Sequence, residues 1–186
     1  SVADFYFQIL RLNKKKVASI GTLGVKTQNY IQKVSNTTID PIALSKILNK
    51  LKKEKINDVI LEASSHGLEQ NRLDGLKFRT GIFTNLSHDH LDYHKTLSEY
   101  LKSKLYLFEK LLIKNASIVT DLDIPEYKKV KEIALRKKFN IETISNNKGD
   151  LEIISHKYHN EKQIVKIKYN KNIYKFETKL IGKIQI

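Results

Sequence analysis

Short apolar, β-branched runs take turns with helical stripes along most of this chain, and that alternation constrains its fold more than any other feature. Val17 to Gly24, a strand running into a glycine-bearing turn, Asp58-Val59-Ile60-Leu61-Glu62, Phe78 to Leu86, Ser117-Ile118-Val119-Thr120 and Ile141–Ile144 read as strands. Between them lie helical patterns. Val2, Phe5, Ile9 and Leu12 recur at helical spacing, with Asp4 in the first turn. Asp40 before Pro41 predicts a capped helix continued by Ile42, Leu44, Ile47, Leu48 and Leu51. Further helices are expected from Ser98 to Leu112 and from Pro125 to Lys138, and a polar loop from Gly24 to Thr38. Strand and helix in alternation predict an α/β fold, a mostly parallel sheet flanked by helices. After Asp150 the period shortens to Leu151–Ser155, Gln163–Tyr169 and Ile173–Leu180, which predicts a C-terminal antiparallel meander.

Several function classes fall away on composition. No apolar run approaches the ~20 residues that a membrane-crossing helix needs, and the opening Ser1-Val2-Ala3-Asp4 lacks the pattern of a secretory signal. With no cysteine there is no disulfide, thiolate metal site or cysteine nucleophile, and a cytoplasmic home is the simplest expectation. A net charge of +14 raises nucleic acid as a partner. Arg11, Arg72, Arg79 and Arg136 are the only arginines, however, and scattered lysines describe a solvated surface better than a base-reading face.

Ligands of open α/β sheets settle at the carboxyl ends of strands, where this chain carries two unusual polar strings. One is Glu62-Ala63-Ser64-Ser65-His66-Gly67, followed by Gln70 and Arg72; its bland reading is a strand-end acid capping a turn. The other, Ser87-His88-Asp89-His90-Leu91-Asp92-Tyr93-His94, holds three of the six histidines. His88, His90, Asp92 and His94 resemble a metal-dependent hydrolase cluster, although Tyr93 stands where that pattern demands a histidine. Helix capping is the plainer alternative for the same residues.

Four strings in register resemble the central domain of the Mur ligase family. They are Ile20-Gly21-Thr22-Leu23-Gly24, Asn36-Thr37-Thr38, Glu62 through Arg72, and Phe83 through His94. The resemblance implies an ADP-forming ligase of peptidoglycan synthesis. It would join an amino acid, diaminopimelate or lysine, to UDP-N-acetylmuramoyl-L-alanyl-D-glutamate through an acyl phosphate. It further implies substrate binding by Thr37, Thr38, Ser64, Gln70 and Arg72, and Mg2+ held by Glu62, His90 and Lys104. His90 and a carbamylated Lys104 would be catalytic. ATP would be the co-substrate, and the phosphate loop Gly-Thr-Asn-Gly-Lys-Thr is expected immediately before the residue matching Ser1. Gly21-Thr22-Leu23-Gly24 has no following lysine to replace that loop, so the chain alone is expected not to bind ATP productively. Residues 1–149 would then form the α/β part of the domain and 150–186 its antiparallel strands. The family's N-terminal uridine-binding and C-terminal amino-acid-binding domains are not represented in the chain.

Overall fold

The computed structural model describes residues 1–87, 91–159 and 161–179. These divide into two compact units: Ser1–Leu76 with the described part of His90–Leu107, and Lys77–Asp89, again where described, with Phe108 onward.

In the first unit, α1 (Val2–Leu12) is capped by Ser1 and buries Ala3 and Phe7. It lies against β1 (Val17–Gly21), all five residues of which are buried. Each Val or Ile fully removed from water there contributes about 1.5–3 kcal/mol. Thr22 and Leu23 turn the chain back into β2 (Gly24–Lys26), antiparallel to β1 with Gly21 opposite Gly24. Gly24 has φ +91°, which only a residue without Cβ adopts readily. The expected polar loop therefore contains β2 and the short β3 (Ile31–Gln32) that pairs with it. Asp40 accepts from the backbone N–H groups of Ile42 and Ala43, opening α2 (Pro41–Lys53), as the Asp-Pro pair predicts. The helix buries Leu44, Ile47 and Leu51. From there β4 (Asp58–Leu61) returns parallel to β1, giving the sheet order β3-β2-β1-β4. The short helices α3 (Ser65–Glu69) and α4 (Leu91–His94) and the longer α5 (Leu97–Tyr106) complete the unit.

In the second unit, β5 (Phe78–Phe83), β6 (Leu112–Asp121), β7 (Asn140–Ser145) and β8 (Leu151–His159) pair in parallel. Then β9 (Lys162–Tyr169) and β10 (Asn172–Thr178) follow antiparallel, in the order β10-β9-β8-β7-β6-β5. The α/β architecture with its C-terminal meander thus stands, its strands shared between two sheets. Leu180, the expected last residue of the meander, lies outside the described residues. The helix α6 (Tyr127–Lys137) ends on Lys138 in the left-handed region and buries Val130, Ile133 and Ala134.

One sequence expectation fails: the helix foreseen from Ser98 to Leu112 stops at Tyr106. It loosens into a π turn over Leu107–Leu111, and Leu112 already belongs to β6. Phe108 and Leu111 are buried, and a Cβ on Gly81 would come within 2.8 Å of the Phe108 ring. Packing Phe108 onto that glycine, beside Phe83, overrides the helical period. Among the described residues, no helix is long and apolar enough to cross a membrane.

Candidate functional site

The carboxyl end of β4 delivers Glu62 to the β1–β2 turn. Its Oε2 accepts from the Thr22 backbone N–H at 2.8 Å and from the Thr22 hydroxyl at 2.9 Å. Thr22 Oγ1 lies 3.0 Å from Thr37 Oγ1. The approach is possible because residue 21 is glycine: a Cβ there would stand 2.4 Å from the Glu62 carboxyl. Ser1, Gly21, Gly24 and Glu62 help line a small cleft. Burial alone would raise the Glu62 pKa. The Ser1 hydroxyl and the two Thr22 donors outweigh it and hold the carboxyl below the usual range.

Thr38, 1% exposed, ties this acid to the next string. Its hydroxyl donates to the Glu62 carbonyl at 2.9 Å, accepts from the Ser64 N–H at 2.8 Å and lies 3.0 Å from Ser64 Oγ. Ser64 in turn caps α3 by accepting from the Gly67 N–H. A Cβ at Gly67 would meet Thr38 at 2.5 Å, so this contact too depends on a missing side chain. Arg72 Nη1 donates to the Thr38 carbonyl at 2.8 Å, while Nε and Nη2 donate to Gln70 Oε1. Gln70 Nε2 donates to the Tyr93 hydroxyl at 2.9 Å, and that hydroxyl donates to Glu69 at 2.6 Å.

The sequence-predicted Thr37, Thr38, Ser64, Gln70, Arg72 and Glu62 therefore belong to one hydrogen-bonded network. Lys104 stands in the last turn of α5, its ammonium 4.8 Å from the centre of the Tyr100 ring. Tyr100 stacks on His94, and His94 Nε2 lies 2.9 Å from Ser65 Oγ, next to Ser64. His90 and His88 lie outside the described residues, and among those described no group of three or more His, Asp or Glu side chains is disposed to hold a metal. One ring nitrogen of His94, a member of the hydrolase-like cluster, is already engaged by Ser65.

Thr22, Glu69 and Tyr93 join the network without having been singled out from sequence as site residues. Thr22 and Glu62 are 40 residues apart, so no local pattern links them. The only clue was the small Gly21-Thr22-Leu23-Gly24 string. An ionised carboxylate beside the Ser1 and Thr22 hydroxyls is a hard oxygen donor set, which suits Mg2+ better than a softer metal.

A polar cradle at a parallel strand's carboxyl end, beside a glycine whose Cβ would collide with it, lies where open α/β domains settle their ligands. The chain belongs to the Mur ligase family: the model of the Mur ligase middle domain matches residues 1–186. The UDP-N-acetylmuramoyl-L-alanyl-D-glutamate--2,6-diaminopimelate ligase of Chelativorans sp. (strain BNC1) is 37% identical over 186 residues. That of Rickettsia montanensis is 38% identical over 189. Both alignments take in 100% of this chain, which spans 38% and 39% of those proteins. Among solved structures, a ligase of the same name superposes with a TM-score of 0.87 at 28% identity, over 99% of this chain and 38% of that one. A MurF ligase from Thermotoga maritima in complex with ADP gives 0.68 at 17% identity, over 94% and 36%, a likeness of fold.

Proposed function

We propose that the protein carrying this chain is an ATP-dependent ligase that joins diaminopimelate or lysine to UDP-N-acetylmuramoyl-L-alanyl-D-glutamate. It would do so in the cytoplasm, without a membrane or nucleic-acid partner. The reading rests on one observation, the network that meets at Glu62: its carboxylate holds Thr22, which reaches Thr37, and its carbonyl holds Thr38, which reaches Ser64 and Arg72. In this reading, residues 1–149 and 150–186 are parts of one middle domain, and the chain alone, without a phosphate loop, does not turn over ATP.

An anionic nucleotide-sugar peptide needs donors held in place before it arrives, because fixed donors lose little entropy on binding. Three of the five guanidinium N–H groups of Arg72 are committed to Thr38 and Gln70, which leaves two for a carboxylate or phosphate. The hydroxyls of Thr37 and Ser64 extend the cradle. The substrate carboxylate attacks the γ-phosphorus of ATP and ADP leaves, forming an acyl phosphate. The amine of the incoming amino acid adds to that carbonyl, and phosphate departs to leave an amide. Mg2+, held by Glu62 with His90 and a carbamylated Lys104, would neutralise charge on the transferred phosphoryl group. Carbamylation would convert the Lys104 ammonium, which repels a cation, into an oxygen anion. Glu62, its pKa lowered by the Ser1 hydroxyl and the Thr22 donors against the effect of burial, needs no proton loss to take up its role.

The test is ligation by the complete protein, followed as ADP release and as mass gain of the nucleotide substrate with diaminopimelate or lysine. Absence of amide formation with either amine, in a folded protein that contains the phosphate loop, overturns the reading.

A further inference from the structure

We propose that Tyr93 is a positioning residue for the substrate cradle: with Glu69 it holds the Gln70 amide from the side opposite Arg72 and so steadies the aim of the Arg72 guanidinium. This rests on the ligase reading above for its consequence, and on hydrogen-bond direction alone for its mechanism. An ionised Glu69 can only accept. The Tyr93 proton is therefore committed to Glu69 at 2.6 Å, and the phenol oxygen is left with lone pairs alone to offer Gln70. Only the NH2 side of the Gln70 amide can meet it, at 2.9 Å. The carbonyl side is thereby turned towards Arg72, where it accepts from both Nε and Nη2. If the amide flipped, its NH2 would face the guanidinium, donor against donor. The relay is thus polarised from both ends, by the Glu69 carboxylate, which can only accept, and by the Arg72 guanidinium, which can only donate.

Tyr93 is itself held sideways, its ring 4.0 Å from that of His66 and edge-on to His94 at 4.9 Å. Removing the hydroxyl leaves this ring packing intact, so the two roles separate cleanly. Arg72 would keep its contact with Thr38 but lose a fixed partner on its other side, so substrate binding weakens more than chemistry.

The experiment uses the complete protein with Tyr93→Phe, Gln70→Ala and the double variant. Tyr93→Phe is expected to raise KM for the UDP-muramoyl-dipeptide about tenfold with kcat within about twofold. In the Gln70→Ala background it should add less than about twofold, because nothing remains to be oriented. An unchanged KM in the single variant, an equal fall in kcat, or full additivity in the double variant overturns the proposal. A second measurement needs no turnover: hydrogen exchange at Arg72 Nε, read by NMR, should quicken in Tyr93→Phe. If the wild type fails to ligate, the ligase reading falls while this exchange still decides the relay, and unchanged Arg72 protection refutes it.

Discussion

Two carboxylates stand just beyond the ends of parallel strands, Glu62 after β4 and Asp123 two residues after β6, and both are held below the usual carboxylate range. Their partners differ. Asp123 is lowered chiefly by the Asn146 backbone N–H, with help from the Ser145 hydroxyl and the Asn146 amide, all from the end of β7 and the residue after it. Both its oxygens are occupied, and the result staples one loop to another. Glu62 takes its donors from two separate segments, the N–H and hydroxyl of Thr22 and the hydroxyl of Ser1. Around Glu62 stand hydroxyls and a glycine that keeps the space open. A depressed pKa marks a satisfied acid in either case; donors gathered from separate segments, beside a glycine whose Cβ would collide with the carboxyl, set Glu62 apart from Asp123.

The comparison breaks most sharply on charge removal. In the complete protein, Glu62→Gln is expected to lower kcat for ligation about 10²–10³-fold. Asp123→Asn should leave kcat within about twofold and lower only the melting temperature, by a few degrees at most. Equal losses at both positions would erase the distinction drawn between them.

The glycines sharpen it further. Gly21→Ala leaves every polar group in place but drives a methyl to within 2.4 Å of the Glu62 carboxyl. Displacing the acid by about an ångström is expected to cost about 10² in kcat. Gly75 supplies the control: its φ is +86°, and a Cβ there would meet nothing within 4 Å. Gly75→Ala should therefore cost about 1 kcal/mol of stability and no activity.

A smaller effect is expected at the far end of the network. Arg72→Lys removes the planar fork that serves Thr38 and Gln70 together, so KM for the nucleotide substrate should rise about tenfold with kcat nearly constant. A fall in kcat with unchanged KM would place Arg72 in the chemistry instead.

How much of this was legible beforehand depends on the range of the interaction. The Asp40-Pro41 cap and the burial of Leu44, Ile47 and Leu51 are local, and the sequence displays them. Ser64, Gln70 and Arg72 stand in the strand-end string that the pattern alone points to, whereas Thr37 and Thr38 are marked only by the four strings kept in register. The Thr22–Glu62 bonds join positions 40 apart, and nothing in either segment announces the other. Tyr93 was noticed only as a residue standing where a histidine was wanted, because a relay's direction exists only once Glu69 and Gln70 meet it on two sides. The π turn escaped for a related reason. Leu107 to Leu111 keeps a helical composition, and only Phe108 packing on Gly81 decides otherwise.

The smallest effect lies at Asp4, a third lowered carboxylate and one with no part in the cradle. Its pKa is depressed chiefly by Lys26, against the opposing effect of burial and with help from Gln8, and Lys26 also lies over the Phe7 ring. A carboxyl depressed in the folded state stabilises fully above its unfolded pKa and loses that contribution as pH falls through the folded value. Asp4→Asn should therefore be less stable than wild type by about 1 kcal/mol at pH 7. The gap should stay constant down to the ordinary aspartate value of 3.8 and close below it. Thermal melts of both proteins between pH 7 and pH 2.5 would read this directly. If the gap instead widened with acid, Lys26 would not be what holds the charge on Asp4, and pairing across α1 and β2 would have to be replaced by simple helix capping.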